Sequence, residues 1–189
     1  MHMKTSFIPL AITICLLTPG LSAQDAPRKP GAEHKQLAVG VGRWKYTEEA
    51  VETPLGKAGK STYTSDGRMV LAGFFFQESG KGAGPDGPVE WITINAFDPE
   101  KGFYGFTFDS QGLSSRPWKG EYLSGKVAGN TWTWTWKQEV KGKTYDCRSV
   151  NVFAHDGKTQ TYEWTYSEDG TTWKPWVKGT GSKVGSHRS

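Results

Sequence analysis

The sequence predicts an all-β domain: an up-and-down meander of about ten short antiparallel strands closed into a barrel, with one short helix before it. Three observations lead there. The chain holds nine Trp, nine Phe and seven Tyr against 24 Gly, and aromatic strands punctuated by glycine turns are characteristic of β structure. Turn signals recur roughly every ten residues. Trp132, Trp134 and Trp136 alternate with Thr131, Thr133 and Thr135. On a strand the indoles share one face and the threonines the other. At helical spacing the indoles would scatter around the axis.

Taken in order, residues 1–23 read as a secretory signal. Lys4 precedes an apolar run over 6–17 that is too short to cross a bilayer, Pro19-Gly20 breaks it, and Ala23 is the small residue a signal peptidase needs. Cleavage is expected after Ala23, which gives an exported, periplasmic or secreted bacterial protein with no membrane insertion once the signal is gone. Cys15 leaves with it, so the mature chain keeps only Cys147 and no internal disulfide. The remaining ~165 residues suffice for one domain with its own core.

Residues 24–31, with Pro27 and Pro30, read as a disordered leader. Residues 32–39 could form two helical turns. Strands are expected at 43–52, with Trp44, Tyr46, Glu48 and Ala50 on one face, and at 60–65, followed by an Asp66-Gly67 hairpin signal. A third strand spans 69–78 around Phe74-Phe75-Phe76. The glycine- and proline-rich stretch 79–88 reads as a long loop, either a surface insertion or a lid over a cavity mouth. Strands follow at 89–97, 103–110 and 118–123. The Trp132 strand comes next, then 144–154, 159–167 and 172–183, joined by short turns at Lys141-Gly142, Asp156-Gly157 and Asp169-Gly170. The domain would run over 32–184 and a disordered tail over 185–189. No fixed-period repeat argues for a propeller.

Composition excludes some functions. The formal charge is +4, and +3 without Lys4, with lysines and acids interspersed as on ordinary solvated surface. A nucleic-acid binder would show clustered Lys and Arg, so nucleic acid is not an expected partner. His34, His155 and His187 fall far apart, in the helix, a turn and the tail, and Cys147 has no partner in sequence, so neither a metal site nor a haem is expected. No cofactor is expected. A lone cysteine on an apolar strand reads as an inert packing residue.

The run Glu33-His34-Lys35-Gln36-Leu37 followed by Gly42-Arg43-Trp44 resembles the start of the DUF1579 family. So does Asn95-Ala96-Phe97-Asp98-Pro99-Glu100-Lys101, continued by Tyr104 and Thr107-Phe108-Asp109-Ser110. These are bacterial, often exported proteins of unknown function with a lipocalin-like, calycin-type barrel. The likeness spans about 32–183. It implies that the helix plugs one barrel end, that Trp44 lies at this floor, and that a cation of the last strand covers it, with Lys178 the nearest candidate. It supplies no catalytic residues.

The aromatic faces leave three readings open. The indoles fill the barrel; or they line a cavity for a small apolar or aromatic ligand; or they form an external platform for sugars, as in a carbohydrate-binding module. For the cavity reading the candidate ligand-binding residues are Trp91, Thr93, Asn95, Trp132, Trp134, Trp136, Tyr145 and Trp164. An enzyme would need inward carboxylates, for which Asp109 and Glu163 are the pair to test. The leading expectation is non-catalytic ligand binding inside the barrel.

Overall fold

The computed structural model describes residues 29–111 and 122–185 of the chain. A short helix, α1 (Ala32–Gln36), continues into a 3-10 turn over Leu37–Gly40. Ten strands follow: β1 Gly42–Ala50, β2 Gly59–Val70, β3 Phe75–Gly84, β4 Gly87–Asp98, β5 Gly102–Asp109, β6 Leu123–Ala128, β7 Thr131–Val140, β8 Lys143–Phe153, β9 Thr159–Ser167 and β10 Lys174–Gly185. Each strand pairs antiparallel with its neighbours in sequence, and β10 pairs with β1 to close the barrel. Closure gives every described strand a neighbour on both sides, which limits the exposed edges that make an open sheet prone to aggregate. No helix among the described residues is long and apolar enough to cross a membrane.

The alternation in sequence becomes inside and outside. Along β1, Trp44 and Tyr46 are buried while Arg43, Lys45 and Thr47 are exposed. Along β7, Trp132 and Trp134 are each 5% exposed and turn inward, which removes the external-platform reading. The floor forms where the helical plug meets the first strand. Leu37 is fully buried there, and the Trp44 indole N–H donates to the Gly40 carbonyl at 2.8 Å. Phe153 meets Trp44 edge-on at 5.9 Å.

Several boundaries differ from the sequence expectations. The Asp66-Gly67 pair is not a hairpin turn, because β2 runs straight through it, with Asp66 opposite Ser79 and Gly67 opposite Glu78. A Cβ at Gly67 would lie 2.6 Å from the Gly40 carbonyl and 2.9 Å from the Phe76 ring, so that glycine lets the plug approach the strand. The real link is the tight turn at Leu71–Gly73, where Leu71 and Ala72 carry positive φ. Residues 79–88 are not a loop or lid. They complete β3 and start β4 around a two-residue turn at Pro85 and Asp86. Gly80, Gly82 and Gly84 mark places where a neighbouring side chain crosses the backbone: the Trp91 indole lies where a Gly80 Cβ would be, at 2.2 Å. Most of the strand expected at 118–123 lies outside the described residues, and β6 starts at Leu123. Residues 1–23, expected to be a signal, lie outside them too. β10 extends to Gly185, the first residue of the expected tail, and residues 186–189 lie outside the described residues.

The cation over Trp44 is Lys183, with its ammonium 5.0 Å from the ring centroid, not Lys178. Lys178 points outward and pairs with Glu163 at 3.6 Å. The register explains this: Trp44 lies opposite Lys183, whereas Lys178 lies opposite Glu49 near the other end of β1.

Candidate functional site in the barrel

Above the floor the barrel encloses a cavity of about 1050 Å³. Its closed end is lined by Gly40, Phe76, Trp132 and Phe153, and its mouth by residues such as Leu55, Pro85, Lys137 and Trp176. The turns at the mouth join β1 to β2, β3 to β4, β7 to β8 and β9 to β10. A cavity of this size accommodates an entire small organic molecule.

One wall is aromatic. Trp132 and Trp134 meet edge-on at 6.3 Å, and Trp136 meets Trp164 edge-on at 5.9 Å. Trp164 also contacts Trp176 at 5.4 Å and Tyr162 at 6.3 Å. β7 supplies the first three of these rings, β9 supplies Tyr162 and Trp164, and β10 supplies Trp176, and the barrel order β10-β9-β8-β7 gathers them on one side. Trp134 fits because β6 has Gly125 opposite it, where a Cβ would lie 2.3 Å from the ring. Trp91, Thr93 and Asn95 of β4 also line the cavity, Trp91 edge-on to Tyr63 at 5.5 Å. The Thr93 and Thr107 hydroxyls are 3.0 Å apart. Seven of the eight residues singled out in the sequence thus face one cavity. Tyr145 does not. It packs with Leu55, Cys147 and Tyr166 in a separate cluster.

The other wall is polar, and its main groups escaped the sequence reading. Glu48 of β1 and Glu78 of β3 both point inward. The Tyr63 and Tyr162 hydroxyls each donate to Glu48 at 2.9 Å, one to each carboxylate oxygen. Glu78 Oε1 accepts from Ser65 at 2.6 Å and from Tyr46 at 3.1 Å. The Gln160 amide donates to the Tyr46 hydroxyl at 2.9 Å. Burial raises both carboxyls above the ordinary glutamate value, and the hydroxyl donors offset part of that rise. Burial and the neighbouring glutamate in turn push the Tyr63 hydroxyl up to about 12. Glu48 was visible on the Trp44 face. Glu78, the last residue of the expected third strand, could have been found by continuing the alternation of Phe76 by two.

Asp109 and Glu163 do not form a catalytic pair. Asp109 lines the cavity, whereas Glu163 lies on the outer surface beside Lys178. His34 sits outside the floor, edge-on to Phe74 at 5.1 Å, and His155 is exposed in a turn. His187 lies outside the described residues. No histidine is among the described cavity-lining residues, and no group of three metal-ligating side chains forms among the described residues.

Cys147 is 1% exposed, and burial, helped by the Asp146 charge, pushes its thiol up to about 12. The thiolate is the reactive form. Alkylation of the folded protein by iodoacetamide at mildly alkaline pH should be about a thousandfold slower than that of a free thiol. Alkylation at the rate of the denatured chain would show that the site opens readily.

A closed antiparallel barrel with a helical plug under one end and a lined cavity is a lipocalin-like barrel protein. The chain belongs to the family described as protein of unknown function (DUF1579), whose model matches residues 29–182. Among solved structures it is similar to the crystal structure of Rv2717c from M. tuberculosis, with 11% identity and a TM-score of 0.56 over 81% of this chain and 98% of that one. It also matches an S-type phycobiliprotein lyase, CPES, from Guillardia theta, with 10% identity and a TM-score of 0.47 over 85% of this chain and 100% of that one. No curated protein matches it.

Proposed function

We propose that this protein is an exported, non-catalytic binder that holds one small molecule with an apolar or aromatic body inside the barrel. The observation that carries this reading is the cavity of about 1050 Å³ left open beside a wall of indoles. A barrel built only for packing would fill that space, since protein interiors leave few voids larger than a water molecule. The indoles offer the apolar contact, and Thr93, Asn95 and the tyrosine–glutamate network offer the few polar groups that orient a ligand. Export rests on the signal-like residues 1–23.

The test is titration of the folded protein with the neutral fluorophore phenylnaphthylamine, together with mass spectrometry of an organic extract of the purified protein. Saturable binding of one probe per chain, weakened by Trp136→Ala and displaced by any extracted molecule, is expected. A folded protein that shows no saturable binding would overturn the reading. Sequencing the secreted form should find Gln24 at its N-terminus.

A further inference from the structure

The polar wall says what kind of ligand the cavity takes. Glu48 and Glu78 reach it from β1 and β3, and Asp109 lines it from β5. The cations among the described lining residues are Lys57 and Lys137, both at the mouth. Each is already engaged, Lys57 with Asp86 at 3.5 Å and Lys137 with Asp146 at 2.6 Å. Hydroxyls alone therefore satisfy the two interior glutamates. Carboxylates withdrawn from water without a countercharge are costly to the folded state, and a cation brought in by a ligand offsets that cost.

A second observation is independent of the acids. Asn95 lines the cavity and is 4% exposed, yet its Oδ1 has no hydrogen-bond partner. This acceptor packs where a Gly105 Cβ would be, at 2.2 Å. The terminal amide torsion is broad, so rotation about it can present this oxygen to the cavity. Asn95 belongs to the same inward face as Thr93, which lies opposite Glu78. Glu78 and Asn95 are thus diagonal neighbours on one wall. Both hydrogen bonds to Glu78 fall on Oε1, and Oε2 takes neither of them. A buried carboxylate with no countercharge and an unpartnered amide oxygen beside it call for a donor-rich group. An ammonium carries three donors and no acceptor. The indoles of the facing wall favour a flat ring and also attract cations over their faces.

We infer that the cavity selects organic cations: a protonated primary amine on an aromatic body, its ammonium held at the Glu78–Asn95 corner near Glu48 and its ring against the indole wall. This rests on the cavity-binding reading above and names the ligand class for that site.

Calorimetry at neutral pH with three probes of one ring system tests it: naphthylmethylamine, naphthalenemethanol and naphthoate, which are cationic, neutral and anionic. The amine should bind about tenfold or more tighter than the alcohol, and naphthoate weakest, because the buried site discriminates by charge. Glu78→Gln and Glu48→Gln should each shrink the amine preference and leave alcohol binding in place. Glu163→Gln, on the outer surface, should keep it. An amine that binds no tighter than the alcohol would overturn the inference while leaving the cavity reading intact. So would a preference that survives both interior substitutions. Failure of all three probes to bind would overturn both readings. The comparison among probes uses the unaltered protein, so it decides the matter even where a variant fails to fold.

Discussion

Trp44→Ala should lower the stability of the folded domain by about 3–5 kcal/mol, the usual range for deleting a buried indole. The side chain is 1% exposed. It holds three parts of the floor together: it donates to the Gly40 carbonyl of the plug, lies under Lys183 of the closing strand, and contacts Phe153. Truncation leaves a cavity and also an unpaired carbonyl, so the cost exceeds simple transfer. The melting temperature should fall by about 10 °C for a domain of this size. Trp44→Phe keeps most of the volume and loses the hydrogen bond, so a loss of about 1–2 kcal/mol is expected. Guanidinium unfolding checks both. A loss below about 1 kcal/mol for the alanine variant would mean the plug and β10 dock without this indole.

Tyr46→Phe should destabilise the protein by about 2–4 kcal/mol at neutral pH, because one hydroxyl satisfies two buried groups. It donates to Glu78 and accepts from Gln160. The loss should shrink as pH falls. Burial raises the Glu78 carboxyl above its value in the unfolded chain. Between those two values the folded state binds more protons than the unfolded chain, so stability declines as pH rises through that window. Above the window Glu78 is ionised and misses its phenolic donor most. Below it the protonated acid needs that donor less. Unfolding measured at about pH 4 and at about pH 9 brackets the window, since the ordinary glutamate value is about 4.3 and burial raises it. Glu78→Gln should flatten the pH dependence in the same window. An equal Tyr46→Phe loss at both pH values would show that the Gln160 bond alone accounts for it.

The element types were readable because strand alternation is a local property. Every residue from Trp44 to Ala50, and from Thr131 to Trp136, sits on the face that counting by two assigns. The turns at Lys141 and Gly142 and at residues 155–158 were equally local, with Lys141 and Gly142 both at positive φ. The misreadings share a cause. Gly67 and Gly80 look like turn chemistry, and in the fold they are clearances for Phe76, the plug and Trp91, whereas Gly87, with positive φ and open space around it, is a true turn glycine. A glycine demanded by a neighbouring side chain and one demanded by backbone direction are indistinguishable in a single sequence.

The candidate site divides along the same line. Strand pattern gathered the indoles of β7 on one face and Trp91, Thr93 and Asn95 on one face of β4. It could not place Glu163 or Tyr145 relative to the cavity, nor bring Glu48 and Glu78 to one interior. Those outcomes depend on which strands become neighbours and how far each is shifted along the barrel. The β1–β10 register, for example, sets Lys183 opposite Trp44 and leaves Lys178 outside. Composition and alternation already dictated β structure with its aromatics gathered on shared strand faces, because these follow from the geometry of a single strand. Whether the indoles left an open space, and which charges share it, were settled when ten strands closed on one another. Volume and electrostatics inside a barrel belong to the circle of strands and to no one of them.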